Sequence, residues 1–205
     1  MNPNELDRTI PFYNLILRCG GWRGTEEPPP EGFRLRGFRP GDEESWAALE
    51  CEIGDFASRE EARDYFIRTY GPPSRDLARR CVFAVDGQDR AVGTCTAWRD
   101  LGADGGEVAS LHWLAVSPGQ QGRGLGKALC RKTLSIFREL GEFPVYIHTQ
   151  PWSWKALLLY VQEGFLLQRA GTFGGYENQY AQGMAALAEI LPEEVCRELA
   201  RRSEG

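Results

Sequence analysis

The chain lacks any apolar run approaching the ~20 residues a membrane-spanning helix needs, so no membrane span is expected. It also lacks an excess of basic residues. With a net charge of −5 it carries no electrostatic footprint for nucleic acid. The opening Met1-Asn2-Pro3-Asn4-Glu5-Leu6-Asp7 has neither the basic start nor the apolar core of a secretory signal, which predicts a cytoplasmic location. Six cysteines (Cys19, Cys51, Cys81, Cys95, Cys130, Cys196) include no C-x-x-C pair and no metal-ligand spacing. They read as reduced, mostly buried thiols, and no metal is expected. There is no internal repeat and no low-complexity tract. Only three of the 24 basic residues are lysine, from which nothing functional follows.

What the chain does have is 205 residues, 42% hydrophobic and 26% charged, enough for one ordinary core with decoration. The most informative stretch is Val116-Ser117-Pro118-Gly119-Gln120-Gln121-Gly122-Arg123-Gly124-Leu125-Gly126-Lys127. It joins an apolar, strand-like run (Leu111 to Val116) to a helical one (Lys127 to Leu140). Glycines let the loop turn tightly and leave its N–H groups uncovered. The following helix adds unpaired donors and the positive end of its dipole, which together suit a phosphate or pyrophosphate. The spacing G-x-G-x-G fits neither the dinucleotide fingerprint G-x-G-x-x-G nor the P-loop, since Lys127 is followed by Ala128.

This loop resembles the acetyl-CoA loop of the GNAT N-acetyltransferase superfamily, [QR]-x-x-G-x-[GA]. Here it stands as Gln121-Gly122-Arg123-Gly124-Leu125-Gly126, preceded by Leu114-Ala115-Val116-Ser117-Pro118. About thirty residues on, Ala156-Leu157-Leu158-Leu159-Tyr160-Val161-Gln162-Glu163-Gly164-Phe165 resembles the family's A-x-x-x-Y-x-x-x-G-F. The resemblance covers roughly residues 31–170. It implies an α/β (α+β) fold: a mixed, mostly antiparallel central sheet flanked by helices and splayed between the fourth and fifth core strands. It further implies acetyl-CoA as acyl donor, bound through Leu114, Ala115, Val116 and the loop residues Gln121, Gly122, Arg123, Gly124, Leu125, Gly126 and Lys127.

The expected organisation is an arm and proline-rich spacer (1–30), the acetyltransferase domain (31–170) and a helical extension (171–205). A strand over residues ~9–19 precedes the spacer Glu26-Glu27-Pro28-Pro29-Pro30. Phe33 to Arg39 alternates as a strand, and Asp42 is placed to cap a helix running to about Ile53. A second helix spans about Ser58 to Tyr70. Two strands flank the turn Asp86-Gly87-Gln88-Asp89 as a hairpin. Strands over ~107–116 and ~144–150, a helix over ~153–163 and a strand from Gly164 follow. The family's closing strand is missing, because Gly171 to Gly175 runs into a helical sequence from Glu177 to Leu191. Phe12 to Arg18 has the character to fill that slot, in cis or from the partner subunit of a homodimer; an edge strand or loose arm is the alternative.

Amine acetylation needs a held thioester, a neutral amine, a stabilised oxyanion and a proton for the departing thiolate. Tyr160 matches the family tyrosine that protonates the CoA sulfur, although a core tyrosine on an amphipathic helix would look the same. Ser153 stands where many relatives have asparagine. Strand alternation puts Ser110, His112, Leu114 and Val116 on one face. That makes His112 the candidate base for the amine, with an unperturbed imidazole suited to the task, or else a hydrogen-bonded histidine of the sheet. Glu107 is the alternative base. Acceptor contacts fall to Glu50, Glu52 and Asp55 near Phe56, where carboxylates beside a ring would suit a cationic amine. His148, Trp152 and Trp154 either line the acceptor channel or pack.

The reading is therefore an acyltransferase moving an acetyl group from acetyl-CoA to a small-molecule or peptide amine by direct attack, with no cysteine in either motif loop to carry it. A catalytically inactive CoA-binding sensor or interaction module on the same fold is the rival.

Overall fold

The computed structural model describes residues 7–205, so the first six residues of the expected arm lie outside the described residues. In chain order the elements are β1 (Leu15–Cys19), β2 (Arg34–Gly37), α1 (Asp42–Glu52), α2 (Arg59–Tyr70), α3 (Arg75–Arg80) and β3 (Cys81–Val85). Next come β4 (Ala91–Leu101), β5 (Glu107–Val116), α4 (Leu125–Leu140), β6 (Val145–Thr149) and α5 (Trp154–Gln162). The chain closes with β7 (Leu166–Gln168), α6 (Tyr180–Ala188), α7 (Glu193–Arg201) and β8 (Ser203–Glu204).

Residues fall into two units, one built from 25–97 and 112–136, the other from 7–24, 98–111 and 137–205. Strands β4 and β5 and helix α4 run through both. In the first unit the strand order is β2-β3-β4-β5. Strands β2 and β3 pair antiparallel, as do β3 and β4. Helices α1 and α2 pack through aromatic rings: Trp46 lies 5.3 Å from Phe66 and stacks on Tyr65 at 6.1 Å, centroid to centroid. The Ser58 hydroxyl accepts the Glu61 N–H at 3.1 Å, the small polar cap expected for α2.

The start of α1 differs from the sequence expectation. Gly41 is the N-cap, in the left-handed region at φ 99°, and Asp42 is the first helical residue. Arg36 draws the Asp42 carboxylate away from the helix end. That carboxylate accepts from the Arg36 guanidinium at 2.5 and 2.9 Å and from the Arg39 N–H at 2.6 Å. Helix α3 was not foreseen. It has six residues, too few for a periodic pattern, and is held by the Ser74 hydroxyl accepting the Leu77 N–H.

In the second unit the order continues from β4 and β5 as β6-β1-β7-β8. The N-terminal β1 is antiparallel to both its neighbours, opposite β6 (Leu17↔Ile147) and β7 (Leu17↔Leu167). Thus the same chain places its N-terminal segment inside the sheet, between the strands after which the family's closing strand was missing. Leu15, Ile16, Leu17 and Cys19 have no exposed surface. Neighbours on both edges and both faces explain why this strand is apolar without alternation. It is shorter than the ~9–19 expected, because Thr9 to Asn14 make no ladder.

The helical tail also starts late. Asn178 holds the preceding loop by donating to the carbonyls of Gln168 and Gly171 at 2.8 and 2.7 Å, and its Oδ1 accepts the Tyr180 N–H. The expected helix from Glu177 to Leu191 is therefore α6 from Tyr180 to Ala188. All six cysteines are free, four of them buried.

Candidate functional site

In the first unit, β5 ends at Val116 and a single 3₁₀ turn (Pro118–Gln120) leads to the glycine loop. Gly122 and Gly124 both take positive φ, 76° and 90°, and with Arg123 they are exposed. Only glycine enters this region at little cost. The Gly124 carbonyl accepts the Ala128 N–H at 3.1 Å, so α4 begins where the loop ends. Its first N–H groups have no partner within the helix. The loop is tied at both ends. Gln121 donates its side-chain amide to the Val116 carbonyl at 3.0 Å, and Leu125 is buried. Arg123 donates to Gln120 at 2.7 Å with its guanidinium 4.7 Å above Phe33. The spacer carries two acids to the same helix. Glu27 pairs with Arg131 and lies 4.0 Å from Lys127, while Glu26 lies 3.1 Å from Lys132.

The strand before the loop is not regular. Trp113 stands at φ 50°, which interrupts the two-residue alternation. Ser110 and Leu111 are buried in succession, and so is Ala115, whereas His112, Leu114 and Val116 are half-buried. His112 and Leu114 therefore do not follow from the period of two expected of this strand. The Trp113 ring packs against Trp46, Phe56 and Tyr65 at 5.3–5.5 Å, and accommodating it there is the physical reason for the irregularity. In the second unit the parallel ladder between β5 and β6 covers only Ala109↔Val145 and Ser110↔Tyr146.

His112 Nδ1 lies 3.4 Å from the Tyr70 hydroxyl. Tyr70 is buried, and burial raises its pKa well above the usual phenol value, so the hydroxyl keeps its proton. No sequence signal marked Tyr70 as more than the last residue of a helix. The three acids expected together have separate surroundings. Glu50 is fully buried and neither of its carboxylate oxygens has a hydrogen-bond partner. Burial, helped by Asp55, holds its carboxyl well above the ordinary range. Glu52 is exposed and accepts from the Ser117 hydroxyl at 2.8 Å, next to the glycine loop. The Asp55 N–H donates to the Glu50 carbonyl at 3.0 Å. Glu107, the alternative base, is exposed at the start of β5 in the second unit.

Also in the second unit, Tyr160 is buried on α5, its ring 5.9 Å from Phe165. His148 on β6 stacks face to face on Tyr176 at 3.8 Å, and its Nε2 lies 2.7 Å from Asn14 Oδ1. Desolvation pushes its pKa down to about 4, so it is neutral near pH 7. Trp152 lies 5.1 Å from Phe12, with the Arg8 guanidinium 4.5 Å from its ring. Tyr176 and Asn14 were not anticipated: both sit in loops, where no periodicity marks a partner. Among the described residues no group of three or more His, Cys, Asp or Glu could hold a metal ion, and no helix is long and apolar enough to cross a membrane.

Residues 40–165 match the model of the acetyltransferase (GNAT) family. The chain is 35% identical over 144 residues to a mycothiol acetyltransferase of Geodermatophilus obscurus, covering 66% of this chain and 45% of that protein. It is 33% identical over 144 residues to the one of Thermobispora bispora, covering 66% and 47%. The chain thus spans about half the length of the curated relatives it matches. Among solved structures, a GCN5-related N-acetyltransferase from Sphaerobacter thermophilus superposes with a TM-score of 0.57 at 20% identity, covering 76% of this chain and 50% of that one. A GNAT-family acetyltransferase from Staphylococcus aureus Mu50 gives 0.51 at 16% identity, covering 64% and 83%. These likenesses concern the fold, a mixed sheet flanked by helices. With the family model matching more than half of its length, the chain belongs to the GNAT acetyltransferase family.

Proposed function

We propose that the protein is an N-acetyltransferase that moves an acetyl group from acetyl-CoA to an amine by direct attack. The observation that carries this reading is the exposed loop Gln121 to Gly126, with Gly122 and Gly124 at positive φ, opening onto the first turn of α4. Around Gly122 the backbone is open: a Cβ there would meet nothing within 4 Å. A diphosphate accepting the loop and helix N–H groups fits this cradle. Lys127 is exposed on the first turn, ready to add a cation.

When bound, the donor supplies an activated acetyl thioester. The chain's own residues then have four tasks. The loop and Lys127 hold the phosphates. Leu114, Ala115 and Val116 offer backbone groups to the pantetheine, and one of their N–H groups stabilises the acetyl oxygen. His112 removes a proton from the acceptor amine, so that its lone pair can attack the carbonyl carbon. Tyr160 gives its hydroxyl proton to the departing thiolate as the carbon–sulfur bond breaks. Glu50, Glu52, Asp55, His148 and Trp152 are the proposed acceptor contacts. The structural surroundings favour Glu50 among them, and give Glu52 the different task of holding Ser117.

The relatives' name contains mycothiol, which makes an amine precursor of that thiol one acceptor to test beside small amines and peptides. No helix long enough to span a membrane is described, and a cytoplasmic site of action accords with the free cysteines. The test is release of free thiol from acetyl-CoA in the presence of an amine panel, with the acetylated amine identified by mass. Binding of CoA with no amine-dependent thiol release across the panel would favour the sensor instead.

A further inference from the structure

Glu50 has no exposed surface, and neither do its helical neighbours Trp46 and Ala47. Both Glu50 oxygens and the Trp46 indole N–H are buried without a hydrogen-bond partner. Buried polar groups are ordinarily paired, so an orphaned carboxyl asks what it is for. The titratable groups coupled to it are Asp55 on the loop after α1, Cys51 on α1, Tyr70 on α2, Cys81 on β3 and Cys95 on β4. Every one of these is an acid. Above Trp46 the rings of Phe56, Tyr65 and Trp113 gather at mutual centroid separations of 5.3–5.4 Å, and all three are half-buried rather than enclosed. Glu50 follows Trp46 by one helical turn, so the two lie on the same face of α1, and rings near an acid suit a cation.

In the same unit the buried Tyr70 has its hydroxyl 3.4 Å from Nδ1 of His112, the proposed base. The reacting amine cannot itself be the cation that Glu50 keeps. A carboxylate contact raises an amine's pKa and holds the proton that must leave before attack. We propose that Glu50, one helical turn after Trp46 on α1, receives a second, non-reacting cationic centre of the acceptor, which is therefore a diamine or an amine bearing a comparable cation. This deepens the acetyltransferase reading and rests on it. On binding, the Glu50 carboxylic acid ionises against the incoming ammonium and its proton passes to solvent.

The test is calorimetric titration of the CoA-saturated protein with 1,4-diaminobutane, and with 1-aminobutane as control. Titrations at pH 6 in two buffers of different ionisation enthalpy count the protons. The diamine should bind the wild-type protein with net proton release. In Glu50→Gln the affinity should fall about tenfold or more, the worth of a charge-assisted contact, and the proton release should vanish. Binding of 1-aminobutane should be alike in both. Glu50→Leu, an apolar replacement for a neutral buried acid, serves if Glu50→Gln does not fold. In the wild type alone the diamine's affinity should rise with pH above the ordinary carboxylate range, because Glu50 must be ionised in the complex. Equal affinity in wild type and variant, or binding without proton release, overturns the receptor even where thiol release from acetyl-CoA succeeds. Diamine binding with the expected proton release but no thiol release overturns the enzyme reading instead.

Discussion

The Tyr70 hydroxyl lies 3.4 Å from His112 Nδ1, joining the last residue of α2 to the strand before the glycine loop. Tyr70 is buried and His112 half-buried, so the tyrosine holds the imidazole from its inner side. Where Nδ1–H donates to the tyrosine oxygen, Nε2 is the nitrogen with the free lone pair.

His112→Gln cannot accept the amine's proton. It should lose most of the rate, on the order of 10²–10⁴-fold. Tyr70→Phe keeps the ring and should lower kcat while leaving KM for acetyl-CoA unchanged. Steady-state rates of both variants against wild type decide it; rates within about twofold of wild type would make His112 structural.

Gly124→Val puts a branched side chain at φ 90°, where only glycine is comfortable, with Pro30 3.6 Å from the new Cβ. Acetyl-CoA affinity should fall by a factor of ten or more, while circular dichroism stays that of wild type. A calorimetric titration with undiminished affinity would move the donor site elsewhere.

Tyr160→Phe removes one hydroxyl from a buried ring packed near Phe165. Turnover should fall by roughly 10²–10⁴-fold if that hydroxyl is the acid, with donor affinity retained. A rate within about twofold of wild type assigns Tyr160 to packing.

Glu26 and Glu27 share the cations of α4 that a phosphorylated donor would also use. Exposed ion pairs are worth about 0–1 kcal/mol, so Glu26→Gln with Glu27→Gln should tighten acetyl-CoA binding by up to about fivefold. Weaker binding would show instead that the acids hold the cations in place. Titrations at low and high salt should narrow the difference as salt rises.

His148 has its folded-state pKa depressed to about 4, below the ordinary 6.5, by desolvation. In the window between these values the unfolded chain binds the extra proton. The stability from keeping the ring neutral is therefore full above about pH 6.5 and is lost progressively as pH falls toward about 4. It amounts to a few kcal/mol at most, on the order of 1.4 per pH unit. His148→Gln should flatten this part of the pH–stability curve in urea unfolding. An unchanged slope would place the titration elsewhere.

Much of the fold was legible in the chain. The glycine spacing from Gln121 to Gly126 announced a turn that must leave the backbone open, and positive φ at Gly122 and Gly124 is its structural form. Ser58 signalled its helix because capping is a local hydrogen bond between near neighbours. The apolar character of Phe12 to Arg18 also marked a strand, and the missing closing strand suggested its place. Failures came where a distant side chain intervened. Asp42 did not cap α1 because Arg36 holds it, and Asn178 delayed α6 by reaching back to Gln168 and Gly171.

The sequence by itself determined most of the element types, the glycine loop and the family, because each rests on residues close together in the chain. Only the tertiary structure decided that β1 lies between β6 and β7 in cis, since strand pairing depends on partners more than a hundred residues away. It likewise separated acids that the sequence grouped. Glu50 and Glu52 are two residues apart, yet one is fully buried with no hydrogen-bond partner and the other is exposed and accepts from Ser117. A helix turns 100° per residue, so neighbours in sequence face different surroundings, and those surroundings set the chemistry of each carboxyl.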